Sequence, residues 1–293
     1  MDRRITPAND RVAHVSLKGR VAGLRFVTGE WRRVTAPLAD LLAAPGGARD
    51  RQLLMGARVC LLDLQGDHAF VQAEADGYVG YVGAHALGPD RAPSHWVSAP
   101  ATHLYPAPDI KTPEIARLSL GAELTVKAGD GVLAETTSGA WLPRGHLRAL
   151  DDPATDPVGI AEMLLGTPYL WGGNSRDGID CSGLVQVAHR LCGIACPADS
   201  DMQERGLGHA LSAETPLRRG DLVFWKGHGA RQRAGRNRSC HGAVHAGGAR
   251  RSGCRVEADR RTGRWPGHCP AAGRSAAVAL DQASEILSRV DIV

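Results

Sequence analysis

The residue best placed to do chemistry in this sequence is Cys181, in the run Gly178-Ile179-Asp180-Cys181-Ser182-Gly183-Leu184. Asn174 to Gly178 reads as a turn, and an amphipathic helix follows, with Asp180 or Cys181 just before it. A thiol at a helix N-terminus is lowered in pKa by free backbone N–H groups and the helix dipole. The same N–H groups can hold the oxyanion of a tetrahedral intermediate. Such a thiol needs an imidazole alongside to work as a nucleophile. His228 is the candidate, closing Arg219-Gly220-Asp221-Leu222-Val223-Phe224-Trp225-Lys226-Gly227-His228. Leu222 to Trp225 is strand-like, and Gly227 lets the chain approach closely. Cys60, Cys192 and Cys196 have no comparable setting and read as buried thiols.

The elements that must position this pair are legible in outline. Asp151-Asp152-Pro153-Ala154-Thr155-Asp156-Pro157 reads as a linker and helix start, and Ile160, Met163, Leu164 and Leu165 then recur at helical spacing. That helix should stop at Gly166-Thr167-Pro168. In the helix after Cys181, Leu184, Val185, Ala188 and Leu191 share one face, and Gly193 is a fitting stop. From about residue 20 to residue 150, short apolar runs such as Arg58-Val59-Cys60-Leu61-Leu62 alternate with turn residues such as Ala75-Asp76-Gly77. That cadence suits two small barrels. The expected organisation is an N-terminal arm (1–20), two all-β modules (21–90 and 91–150) and a catalytic domain (151–293) whose stretch 229–275 is atypical.

Four pieces occur in a fixed order: Pro168-Tyr169-Leu170-Trp171-Gly172-Gly173, Asp180-Cys181-Ser182-Gly183-Leu184-Val185-Gln186, Asp199-Ser200 with Gln203, and Arg219-Gly220-Asp221-Leu222-Val223-Phe224. Residues 166–228 thereby resemble the NlpC/P60 family of papain-like cysteine peptidases. The barrels in front resemble bacterial SH3 modules, most closely at Asp76-Gly77-Tyr78-Val79-Gly80-Tyr81-Val82. The resemblance implies an α+β papain-like fold behind two SH3-like barrels, as in the dipeptidyl-peptidase VI-like subgroup. It implies hydrolysis of peptidoglycan stem peptides, commonly between D-glutamate and a diamino acid, through a Cys–His thioester mechanism without metal or organic cofactor.

The family orients its Cys–His pair with a third polar residue, usually a histidine about a dozen positions after the first, and His241 stands near that spacing. The resemblance further implies substrate-pocket roles for Tyr169, Trp171, Asp180, Ser182 and Ser200, and for Tyr78 or Tyr81 from the first barrel. Where the family commonly has Gly-Glu, this sequence has Gly56-Ala57, which implies weaker recognition of the substrate amine. The rival expectations are a Cys–His acyltransferase or amidase of the same fold, and a wall-binding protein whose catalytic domain has decayed.

Composition narrows the field. The 293 residues, 43% apolar, suffice for two or three domains. No stretch reaches the roughly 20 apolar residues of a membrane span, and Met1 to Pro7 lacks the apolar run of a secretory signal. No membrane partner and a cytoplasmic location are therefore expected, with export by another route still open; the oligomeric state is not legible. Seven cysteines without framework spacing argue against a disulfide scaffold.

The basic balance lies entirely in the tail, where residues 229–293 hold 12 Arg against 5 acids. Between Gly229 and Arg274 only Val244, Val256 and Trp265 are large and apolar, too few to order a segment. Three readings compete: a basic arm for nucleic acid or the anionic wall, a metal site, and translation out of frame. Cys240, His241, His245, Cys254, His268 and Cys269 match no zinc spacing, so neither a metal nor a specific nucleic-acid partner is expected. The frameshift is favoured, because codons compatible with Cys240 to Gly247 spell His-Ala-Thr-Ala-Arg-Phe-Met-Gln one register earlier. On that reading no strand survives over 229–275, the catalytic sheet is incomplete, and the chain as written is inactive.

Overall fold

The computed structural model describes residues 1–211, 216, 218–226, 240–241, 252–255 and 277–279. They fall into two compact units: residues 1–153 with 170–179, and residues 154–169 with 180–293.

The first unit is built of short strands, as its turn residues dictate. Two strands near its start, β1 (Val12–His14) and β2 (Arg25–Val27), pair in parallel. The next seven are β3 (Glu30–Val34), β4 (Leu38–Leu42), β5 (Arg49–Leu54), β6 (Arg58–Gln65), β7 (His68–Ala73), β8 (Val79–Gly83) and β9 (Leu87–Pro89). They form one antiparallel sheet in the order β5-β4-β8-β7-β6-β3-β9. Val12, Cys60, Leu62, Phe70, Val79 and Tyr81 fill its core. The register of β6 on β7 shifts between Leu61 and Asp63. The neighbours Leu62 and Asp63 are therefore both buried, and Asp63 receives Arg11 of the N-terminal segment at 2.9 Å.

A second set of strands follows: β10 (His95–Val97), β11 (Ala101–Leu104), β12 (Ala116–Ser119), β13 (Glu123–Leu124), β14 (Leu133–Glu135), β15 (Trp141–Pro143) and β16 (Leu147–Ala149). They make the sheet β13-β10-β16 and the hairpins β11-β12 and β14-β15. Their core is separate, with Val97, Leu104, Leu118, Leu124 and Leu142 at its centre. Residues 170–179 cluster with this unit although they follow the linker in the chain. They form a hairpin of β17 (Asn174–Ser175) and β18 (Gly178–Ile179). The Asn174 N–H donates to Gln52 Oε1 (3.3 Å) and the Arg176 N–H to Ser119 Oγ (2.9 Å).

The second unit begins at α1 (Pro157–Glu162), capped by Asp156, which accepts from the Val158 N–H at 3.0 Å. The helix is shorter than its apolar spacing predicts. Met163 to Gly166 form tighter turns, with Leu164 and Leu165 donating three residues back and Leu165 left exposed; side chains three apart share a face in either winding. The second helix, α2 (Cys181–Leu191), ends at Gly193, whose φ of 72° suits a left-handed stop. Its burial differs from the expected stripe. Gln186, Val187, Ala188 and His189 are buried, whereas Leu184, Val185 and Leu191 are half-buried. The helix is covered on more than one side, and buried Gln186 donates to the Cys196 carbonyl at 3.1 Å. A third helix, α3 (Ser200–Gly206), follows.

The sheet of this unit is antiparallel: β19 (His209–Leu211), β20 (Asp221–Lys226), β21 (Cys240–His241), β22 (Ser252–Arg255) and β23 (Ala277–Ala279), in the order β19-β22-β20-β21 with β23 also on β20. The expectation that no strand survives in the arginine-rich stretch is thus corrected, since β21 and β22 both lie within it and pair with β20, and with it goes the incomplete sheet from which inactivity was expected. Ladder hydrogen bonds are made by backbone, so small residues such as Ser252 and Gly253 can add to a strand whose own Leu222 and Phe224 are buried. Arg219 ties the start of β20 to α1 through Asp156 (3.0 Å) and Glu162 (2.7 Å).

One buried ion pair stands out in the first unit. Arg51 on β5 meets Asp76 in the β7–β8 turn, both side chains nearly inaccessible, and the guanidinium lies 5.5 Å over the Tyr78 ring. Asp76→Ala strands a buried cation and should destabilise the fold by about 3–5 kcal/mol. The double variant Arg51→Met/Asp76→Ala should lose less. Denaturant titration of the two variants checks both expectations.

Candidate active site

Asp180 is the N-cap of α2 and Cys181 its first helical residue. The cap is made by one carboxylate oxygen: Asp180 Oδ1 accepts from the Gly183 N–H at 2.7 Å and from Ser182 Oγ at 3.0 Å. The turn residues before Cys181 and the apolar helix after it leave the boundary here, and a carboxylate is the group the positive helix end favours. Cys181 is half-buried.

Tyr169 belongs to the same neighbourhood. Burial pushes its phenol up to about 12, and the negative charges of Cys181 and Asp180 push the same way. It therefore keeps its O–H as a hydrogen-bond donor across the pH range in which a thiolate forms. Ser200 opens α3, which packs against α2. From that helix Gln203 reaches the Ser182 carbonyl, donating from Nε2 at 2.9 Å.

The remaining expected residues are distributed otherwise. Trp171 lies in the first unit, 55% exposed, with its carbonyl held by Arg49 Nε (3.1 Å) and Nη2 (3.0 Å). Next to it Gly172 has a φ of +71°, and a Cβ there would stand 2.7 Å from the Asp50 carbonyl, so glycine is required. Tyr78 and Tyr81 are also in the first unit and buried, Tyr81 against Phe70 with ring centroids 5.0 Å apart. Ala57 follows the end of β5 in a turn closed by its N–H on the Leu54 carbonyl at 3.1 Å.

His228 lies outside the described residues. His241 is placed by backbone on β21, opposite Trp225 of β20. Among the described residues no three His, Cys, Asp or Glu side chains gather as a metal-binding set.

Gln203 and Gln186, which carry no expected role, are both fully buried. Their signal was present: each is an amide at a helical position facing the interior, and a buried amide must find partners.

These features define an α+β domain with a thiol presented at a capped helix start, in a chain that also carries a strand-rich unit. Residues 166–241 match the NlpC/P60 family, and residues 41–87 match the bacterial dipeptidyl-peptidase SH3 domain. The chain carries an NlpC/P60 domain and an SH3 domain of the dipeptidyl-peptidase kind. It is 31% identical over 202 residues to gamma-D-glutamyl-L-lysine dipeptidyl-peptidase of Bacillus cereus, covering 60% of each chain. The protein of that name from Bacillus subtilis is 28% identical over 191 residues, 59% of this chain and 63% of the relative. The chain thus spans about three fifths of the length of these two relatives. A solved NlpC/P60 family protein from Bacillus cereus shares the fold, with a TM-score of 0.58 at 24% identity, over 68% of this chain and 83% of that one.

Asp180→Ala removes the cap and should cost about 0.5–2 kcal/mol of stability, while Asp180→Asn, which keeps an acceptor oxygen, should cost much less. Thermal unfolding of the two variants side by side makes the comparison.

Proposed function

We propose that the chain is a cysteine peptidase that cleaves peptidoglycan stem peptides at the D-γ-glutamyl–diamino acid bond. The observation that carries this reading is Cys181 as the first residue of a helix capped by Asp180, inside the segment that matches the NlpC/P60 family. The names of the Bacillus relatives support the γ-D-glutamyl specificity.

In the proposed mechanism, Cys181 Sγ attacks the γ-carbonyl carbon of D-glutamate. The N–H groups at the start of α2 receive the oxyanion, and the protonated Tyr169 phenol is available as a further donor. His228 takes the thiol proton and returns it to the departing amine of the diamino acid, leaving a thioester. Water, deprotonated by the same imidazole, then hydrolyses the thioester and frees the thiol. Neither metal nor organic cofactor enters these steps. His241 is the proposed orienting partner of His228. Trp171, Ser182 and Ser200, with Asp180 and either Tyr78 or Tyr81, are proposed to shape the substrate site. The second set of strands, β10 to β16, is proposed as a second SH3-like module.

Cys181→Ala should abolish hydrolysis of L-Ala-γ-D-Glu-diamino acid peptides, followed by chromatographic release of the diamino acid peptide. Turnover retained in that variant would remove Cys181 from the nucleophile's role.

A further inference from the structure

The peptide group between Ser182 and Gly183 is held at both ends. Its N–H donates to Asp180 Oδ1 at 2.7 Å, and its carbonyl accepts from Gln203 Nε2 at 2.9 Å. The Gln203 amide also faces the Pro197 and Ala198 carbonyls, at 3.0 and 3.3 Å. Three carbonyl oxygens around one end of the amide fix its orientation, because the reverse would set acceptor against acceptors. The other end, Gln203 Oε1, is buried and has no hydrogen-bond partner among the described residues, in a residue that is 1% exposed. A buried acceptor left unpaired is unfavourable. The fold keeps the amide here for its donors, and the donor at 2.9 Å serves the first turn of α2.

We propose that Gln203 is a positioning residue for Cys181: with Asp180 it clamps the Ser182–Gly183 peptide and so holds the thiol and the oxyanion-binding N–H groups in their reactive geometry. This rests on the reading of Cys181 as nucleophile. The two grips act in series. A carboxylate on the N–H and an amide on the C=O polarise the same peptide in the same sense, and hydrogen bonds in such a chain reinforce one another. Asp180 alone sets where the helix begins. Gln203 fixes the rotation of its first turn against α3, a freedom that capping leaves open.

The test uses two substitutions in the full chain. Gln203→Met keeps the length and removes the donors. Gln203→Glu supplies an O–H donor only while its carboxyl is protonated. Each variant is followed by hydrolysis kinetics on an L-Ala-γ-D-Glu-diamino acid peptide. Alkylation of Cys181 by iodoacetamide is followed in parallel, resolved from the other cysteines by peptide mass spectrometry.

Gln203→Met should lower kcat by roughly 10–100-fold with KM little changed, since small misplacement of a reacting group carries costs of that order. Cys181 alkylation should slow with it. Gln203→Glu should come closest to the unsubstituted chain at low pH and fall away from it as the carboxyl ionises. If the methionine variant does not fold, the comparison of the glutamate variant across pH decides alone. Alkylation and kcat at unsubstituted levels in both variants, at every pH, overturn the role of Gln203. Hydrolysis by the unsubstituted chain that survives complete alkylation of Cys181 overturns the nucleophile reading beneath it.

Discussion

The carboxylate of Asp180 accepts two donors from the first turn of α2, the Gly183 N–H and the Ser182 hydroxyl, and the rest of the site follows from where that places the helix start. The chain enters through a hairpin, turns at Asp180, and presents Cys181 as the first helical residue. The first N–H groups of a helix have no partner within the helix's own ladder and gather at that end. Burial and nearby negative charge keep the Tyr169 phenol protonated. A thiol, the N–H groups of a helix's first turn and a neutral phenol are therefore gathered by one capping interaction and one half-buried ring.

The strand-rich unit contributes rigidity of a different kind. Its strands are short and its cores small, so polar contacts supplement apolar packing. The Arg51 guanidinium, paired with Asp76, lies over the Tyr78 ring. Gln52 on the same strand β5 accepts the Asn174 N–H and donates to Asp40. The match to a dipeptidyl-peptidase SH3 domain covers residues 41–87, which contain this strand. A hairpin that immediately precedes Asp180 in the chain is thus held by side chains of an SH3 strand.

Much of this was legible in the sequence, and the failures have physical causes. Asp180 before Cys181, with Gly193 closing the helix, follows from rules of capping that need no tertiary knowledge. Turn residues such as Asp76-Gly77 gave away the strands around them. The end of α1 was misjudged because residues three apart share a face in both windings. The buried side of α2 was misjudged because a single apolar stripe is the signature of a helix covered on one side, and this one is covered on several, with Gln186 inside. Tyr81 reads equally as a ring for substrate or for core, and the structure places it against Phe70. The short strands β21 and β22 were invisible because their pairing is made by backbone and their residues carry no alternation. Gln203 could be matched as part of a motif, yet its partner, the Ser182 carbonyl, is 21 residues away in sequence.

The central claim is that Cys181 carries the acyl group during the reaction. Acid-quenching the chain during turnover of an L-Ala-γ-D-Glu-diamino acid peptide, then mapping its cysteines by mass spectrometry, tests this directly. The account predicts an L-alanyl-γ-D-glutamyl mass on the peptide that contains Cys181, removed by hydroxylamine as a thioester should be. Turnover with that mass on a different cysteine, or with no acylated cysteine at any quench time, would contradict it.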